Sequence, residues 1–327
     1  MSNDLSVSAA IEKYLDTVKL ARSENTARTY GNALQFFTQV LDVRNHSPEK
    51  MPISEITEEA VVWMVSALNV YAPTTERLYL AALTGFYEFL AAERLAEINL
   101  PRLRLLIRQR ARRPGQRLPQ FPREDIETLL NSVESYTQNN TEDEKEHLRA
   151  LRERAFLVVL ADTGLRVHEA CALRRGDIDW NEGRAVIIGK GDKQAVIRFS
   201  TRSMRAMQAY LSARQKLDGA SRRPLPSLPL FARHDKGAGS KVKPITTATG
   251  RNIVTDAVRR ILGEDAVGKI TPHSFRHYFV TTVLRASGNL KMAQELARHS
   301  NIAVTQRYAH LSDDELDRGY YEIFDKK

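Results

Sequence analysis

The chain has 327 residues, enough for about two domains, with 42% hydrophobic residues and a formal net charge of +9 at pH 7. Its one cysteine, Cys171, excludes an internal disulfide and a cysteine-built zinc site, and no apolar run reaches the roughly 18 residues that a membrane span needs. The opening Met-Ser-Asn-Asp-Leu-Ser lacks the basic and apolar regions of a secretory leader, so a reducing cytoplasm is the expected setting.

Residues 1–100 read as a helical bundle. Between Ser8 and Leu20, the residues Ala10, Ile11, Tyr14, Leu15 and Val18 fall at the spacing of one helix face. Ser23 or Asn25 is placed to cap a second helix, with Tyr30, Leu34, Phe37 and Leu41 on one stripe. Thr57 is placed to cap a third, through Val61, Val65 and Leu68. Pro73 or Thr74 opens a fourth, with Leu78, Leu83, Phe86, Phe89 and Leu90 inward. Pro101 is expected to end this unit, and residues 101–119 to form a basic linker. That stretch holds Arg102, Arg104, Arg108, Arg110, Arg112, Arg113 and Arg117 and no acid. Guanidinium forks suit phosphate oxygens, so these arginines are candidate contacts to a DNA backbone, on a connector that would otherwise be solvated.

Residues 120–327 read as a second unit, mainly α with a small antiparallel sheet. A helix from about Arg123 to Val133 is followed by a polar, acidic insertion from Ser135 to Glu146 that should be exposed. The apolar run Ala155 to Leu160 stops at Thr163-Gly164, a helix end, and Leu165 to Leu173 starts another helix. The period then changes. A turn over 179–183, a strand over Arg184 to Ile188, a second turn over Gly189 to Lys193 and a returning strand over Gln194 to Phe199 make a hairpin. The segment from Asp218 to Pro244, rich in Pro, Gly and Ser, is expected to be irregular, and the last third helical.

Several polar residues have the types and spacing of a site that acts on a phosphodiester, whose non-bridging oxygens gather charge when attacked and need fixed donors. His273 and Arg276 follow Thr271-Pro272, a cap and a first-turn proline, so they share a face near a helix N-terminus. His277 makes a His-x-x-x-His pair with His273, but Ser274 stands where a zinc protease needs glutamate, so no metal is expected. Arg166 has Glu169 three residues on, which makes either a plain helix salt bridge or a brace that fixes the guanidinium. Lys190, at the hairpin tip, can lose a proton to a leaving oxygen as arginine cannot, and Lys193 is its close competitor. His299 and Tyr308 lie nine residues apart. Tyr308 is the candidate nucleophile.

Taken in order, Thr163-Gly164-Leu165-Arg166-x-x-Glu169, the Gly-Lys-Gly-x-Lys hairpin, Thr271-Pro272-His273-x-x-Arg276-His277 and Ala297-Arg298-His299-Ser300 followed by Tyr308 resemble the tyrosine recombinase (phage integrase) family. Ser23-x-Asn25-Thr26-x-x-Thr29-Tyr30 is similar to that family's SAM-like core-binding domain, so the resemblance covers nearly the whole chain. It implies a site-specific recombinase without an additional arm-binding domain. In it Tyr308 would attack the scissile phosphate and join a DNA 3′ end, while Arg166, Arg276 and His299 stabilise the phosphorane. His273 would assist proton transfer from the tyrosine, and Lys190 would protonate the 5′ oxygen. No cofactor, metal or ATP is implied. The implied partner is double-stranded DNA carrying paired recombination sites, bound by a homotetramer in the nucleoid, with Tyr320, Tyr321, Ile323 and Phe324 docking each C-terminal tail onto a neighbour. Arg298 departs from the family's usual glycine and is a further candidate phosphate contact, with Lys193. A type IB topoisomerase and a catalytically inactive DNA-binding regulator are the alternatives. Integration, transposition, plasmid resolution and chromosome-dimer resolution are not distinguished.

Overall fold

The computed structural model describes residues 5–112, 122–138, 143–188, 194–235 and 242–299. The chain divides into two compact units, Met1–Arg117 and Leu118–Lys327. No helix among the described residues is long and apolar enough to cross a membrane.

The first unit holds α1 (Val7–Ala21), α2 (Glu24–Val43), α3 (Glu59–Ala67), α4 (Pro73–Ala92) and α5 (Leu100–Arg110). Local chemistry sets the starts. The Ser6 hydroxyl accepts from Ala9 N, Ser23 accepts from Thr26 N, and Pro73 occupies the first turn of α4. Leu34, Phe37, Leu41, Leu83, Phe86, Tyr87 and Leu90 are buried together between α2 and α4. Tyr87 still finds an acceptor there, donating to the Thr57 carbonyl at 2.8 Å. Burying the phenol raises its pKa well above the usual range, with Glu58 adding to the shift.

Three local expectations are corrected here. Thr57 does not cap α3; Glu58 stands at that position, its carboxylate taken by the Asn99 backbone N–H. Leu78 is exposed, because the inward stripe of α4 is centred on Leu80, Leu83, Tyr87 and Leu90. Pro101 does not end the unit, since it lies in the first turn of α5, capped by Asn99 accepting from Arg102 N at 2.9 Å. Within the expected linker, Leu103, Ile107 and Ala111 recur every four residues and pack on the bundle core. Arg112 then ties the end of α5 to α4: its N and Nε donate to the fully buried Glu76 at 2.8 and 2.7 Å, and Nη2 donates to the Leu68 and Tyr71 carbonyls.

The second unit is built around α7 (Glu144–Thr163), whose run Ala155 to Ala161 is buried on every side. Against it pack α6 (Arg123–Gln138), α9 (Thr201–Ala213) and α12 (Pro272–Ser287). The helices α8 (Val167–Ala172), α10 (Gln215–Ala220), α11 (Thr247–Leu262) and α13 (Leu290–Ala297) complete the described set. Gly250 lets α11 close on α8, because a Cβ there would meet Cys171 Sγ at 2.7 Å. An antiparallel sheet in the order β1 (Ile178–Asp179), β2 (Arg184–Ile188), β3 (Gln194–Arg198) pairs Val186 with Val196. Ala185 and Ile187 face the core while Val186 and Ile188 face out, the period-two pattern of a half-buried strand. Of the segment expected to be irregular, residues 218–220 instead finish α10 and residues 236–241 lie outside the described residues. In the described remainder Leu228, Leu230 and Phe231 are fully buried, held by Leu230 N donating to the Leu173 carbonyl at 2.8 Å.

Candidate active site

The site is assembled from the end of α7, the start of α8, the first turns of α12 and the end of α13. Gly164 terminates α7 in the left-handed region, φ 59 and ψ 24. Glycine is needed there twice over, since a Cβ would also lie 2.5 Å from Cδ1 of the Phe279 ring. Two residues on, Arg166 is the N-cap of α8, extended at φ −70 and ψ 148. Glu169 reaches back to it, accepting from Arg166 N at 2.9 Å and from Nη1 at 2.9 Å. This carboxylate is buried, whereas the Arg166 side chain is 41% exposed. The pair therefore braces a guanidinium that remains open to solvent. Burial alone would push the Glu169 pKa up. The Arg166 backbone N–H, the charge of Arg298 and the Arg166 guanidinium together hold it below the usual carboxylate value.

On α12, Thr271 N donates to Ser274 Oγ at 3.0 Å and Pro272 occupies the first turn, so His273 and Arg276 emerge on one face as the spacing implies. Arg276 is 3% exposed. Its Nη1 donates to the Gly164 carbonyl, its Nη2 to the Ala297 carbonyl, and its Nε to His299 Nε2 at 3.3 Å. His299 must then be neutral, with its proton on Nδ1. Its pKa falls to about 4, first through burial and then through the charges of Arg276, Arg166, His273 and Arg298. His273 and His277 meet edge to face with ring centres 4.2 Å apart. Burial lowers both, His277 to about 4, with His273, His299 and Arg276 contributing; Arg276 and Arg166 contribute at His273. Near neutral pH the site thus holds permanent cations beside neutral imidazoles, an arrangement that receives an oxyanion and can exchange a proton with it.

Five residues singled out from the sequence are brought together: Arg166, Glu169, His273, Arg276 and His299. Tyr308, Lys190, Lys193, Arg113, Arg117 and the tail residues Tyr320, Tyr321, Ile323 and Phe324 lie outside the described residues. Two expected phosphate contacts are corrected. Arg298 turns inward, its side chain 12% exposed and its Nη2 donating to Glu169 Oε2 at 3.2 Å and to the Gly164 carbonyl at 3.4 Å. Arg112 is committed to Glu76, as described above. Of the remaining described arginines on α5, Arg102 meets the buried Glu58 and the exposed Glu59, Arg104 meets Glu88 at the surface, and Arg108 and Arg110 make no ion pair among the described residues. The sequence reading missed the Gly164 carbonyl, which anchors two arginines. Only the Thr-Gly pair ending a helix signals it. Among the described residues no group of three or more His, Cys, Asp or Glu side chains is arranged to hold a metal ion.

Residues 121–315, more than half the chain, match the model of the phage integrase family, and residues 11–94 match that of its N-terminal SAM-like domain. The chain is 27% identical over 323 residues to the tyrosine recombinase XerC of Thermodesulfovibrio yellowstonii, covering 97% of this chain and 95% of that one. It is 28% identical over 323 residues to the XerC of Myxococcus xanthus, covering 96% and 97%. Its fold is similar to that of the XerH site-specific recombinase bound to a palindromic difH substrate, with a TM-score of 0.66 at 18% identity over 95% of this chain and 83% of that one. It is similar also to the Tn1549 transposon integrase in complex with transposon right end DNA, with a TM-score of 0.67 at 17% identity over 97% and 99%. The chain belongs to the phage integrase family and is a site-specific tyrosine recombinase, an enzyme that cuts and rejoins DNA strands.

Proposed function

We propose that this recombinase breaks DNA with Tyr308 and conserves the broken bond as a 3′-phosphotyrosine. The phenolic oxygen attacks the scissile phosphorus, the bond to the 5′ oxygen breaks, and that oxygen takes a proton from Lys190. Rejoining is the reverse step, with a 5′ hydroxyl expelling the tyrosine, so neither ATP nor an external nucleophile is consumed. Arg166 and Arg276 hold the non-bridging oxygens and His299 donates to one of them. His273, kept neutral by burial beside two guanidiniums, accepts the phenolic proton. The observation that carries this reading is the convergence of Arg166, Arg276 and His299 from three separate elements, with Glu169 bracing the exposed guanidinium.

Arg108 and Arg110, with Arg113 and Arg117, supply sequence-independent affinity for the DNA backbone, and Lys193 adds to it. Arg102 and Arg104 join them by exchanging exposed carboxylate partners for phosphate, a low-cost change for surface pairs. Four protomers assemble on paired sites in the nucleoid, each passing Tyr320, Tyr321, Ile323 and Phe324 to a neighbour.

The test uses the full-length chain and sheared genomic DNA of its own host, stopped with detergent so that only covalently held fragments are recovered and sequenced. Wild type should yield one sequence, and Tyr308→Phe none while still retarding that sequence in gels. Adduct formation by Tyr308→Phe would remove the tyrosine from its role. Relaxation of any supercoiled plasmid by wild type, with no sequence enriched, would favour topoisomerase chemistry instead.

A further inference from the structure

Arg298 ends α13 with φ 57 and ψ 43, the left-handed region that favours glycine. The other non-glycine residues at positive φ among those described, Asn45, Arg94 and Arg222, are all exposed. Arg298 alone among these four is turned into the protein. Its position also leaves Nε and Nη1 buried with no hydrogen-bond partner among the described residues. A glycine would avoid both the backbone strain and the stranded donors. Something other than local stability therefore accounts for the guanidinium.

Its contacts show what it acts on. The single Nη2 donates to Glu169 Oε2, and Glu169 is the carboxylate that braces Arg166. The same Nη2 donates to the Gly164 carbonyl, which also receives Arg276. One nitrogen thus joins the anchors of both site arginines. Two guanidiniums, Arg166 and Arg298, share the Glu169 carboxylate, and a third, Arg276, rests on neutral groups, so with the histidines neutral the cluster keeps a surplus of positive charge at the place where a phosphate would gather negative charge.

We propose that Arg298 is a positioning residue for strand cleavage: from beneath the site it links Glu169 to the Gly164 carbonyl, fixes the aim of Arg166 and Arg276, and adds a positive charge that never touches the DNA. The proposal rests on the site reading given above. Charge removal should register at His299, which faces Arg276, His273 and His277 from α12, Arg166 from the start of α8, and Arg298 beside it.

Two measurements on the full-length chain test this. The first needs no DNA: histidine side chains are titrated by NMR in wild type, Arg298→Gly and Arg298→Lys. Burial and the surrounding cations, Arg298 among them, push the His299 pKa down to about 4; His299 should titrate at higher pH in Arg298→Gly than in wild type and return toward the wild-type value in Arg298→Lys. The second follows single-turnover cleavage of a nicked duplex carrying the sequence that wild type traps. Arg298→Gly should cleave roughly ten- to a hundredfold more slowly with little change in affinity, and Arg298→Lys should recover part of the loss. Arg298→Gly should melt no lower than wild type, so lost folding will not mimic the effect. An unmoved His299 titration, or cleavage by Arg298→Gly at the wild-type rate, overturns the proposal. If wild type itself cleaves nothing, the site reading has failed, and the titration alone decides whether Arg298 holds the cluster.

Discussion

In the N-terminal unit, arginines lie over a core of aromatic and aliphatic side chains. Arg102 and Arg104 keep more than half of their own side chains in water while they meet carboxylates. In the C-terminal unit, Arg214 and Arg276 are inside the protein and are satisfied largely by main-chain oxygens. Arg214 stacks 5.0 Å from the Tyr210 ring centre, pairs with Asp218 at 2.9 Å, and donates to the carbonyls of Pro229 and Leu230. The difference separates two uses of one side chain. A surface guanidinium can trade partners with a phosphate at little cost. A buried one is fixed in place by groups that would be stranded without it.

Arg214→Ala sharpens that contrast most. It leaves carbonyls and part of Asp218 without donors, so it should lower stability by roughly 3–5 kcal/mol in chemical denaturation; a loss below 1 kcal/mol would show that the buried network relaxes freely. Gly164→Ala comes next, at roughly 2–4 kcal/mol, because the alanine is strained at φ 59 and its Cβ presses on Phe279. Cleavage should fall in the same variant, since the displaced carbonyl is an anchor of Arg276; full activity with lowered stability would separate that anchor from the chemistry. Arg104→Ala should change stability by less than about 1 kcal/mol, while weakening DNA binding and flattening its salt dependence. A larger stability effect would mean that α5 depends on its surface pairs after all.

Much of this was legible in the chain itself. The stripe through Ile11, Tyr14 and Val18, the Ser23 cap, the proline at 73 and the switch to period two over Arg184 to Ile188 all correspond to observed elements. Thr271-Pro272 also places His273 and Arg276 on one face of a helix. The failures share a cause. On α5 the density of guanidiniums hid a stripe of only Leu103, Ile107 and Ala111, so a packed helix read as a connector. Leu78 and Leu80 are equally apolar, and only the packing of α4 on α2 decides which turns inward. Arg298 read as a phosphate contact because a charged side chain suggests the surface, and the one hint of its left-handed backbone is the glycine usual at that place in the family. The Gly164 oxygen has no side chain by which to be noticed, and β1 is two residues long.

That oxygen sets a limit on how the enzyme can vary. Arg276 and Arg298 both hang from the last peptide of a twenty-residue helix, so the helix acts as a ruler whose final mark aligns the site. Adding or deleting one residue inside α7 would swing that carbonyl by about 100° around the axis and carry it away from both guanidiniums. Length changes in this family member should therefore be accepted in the connections ahead of α7 and refused within it, whatever the new residue's own helical preference.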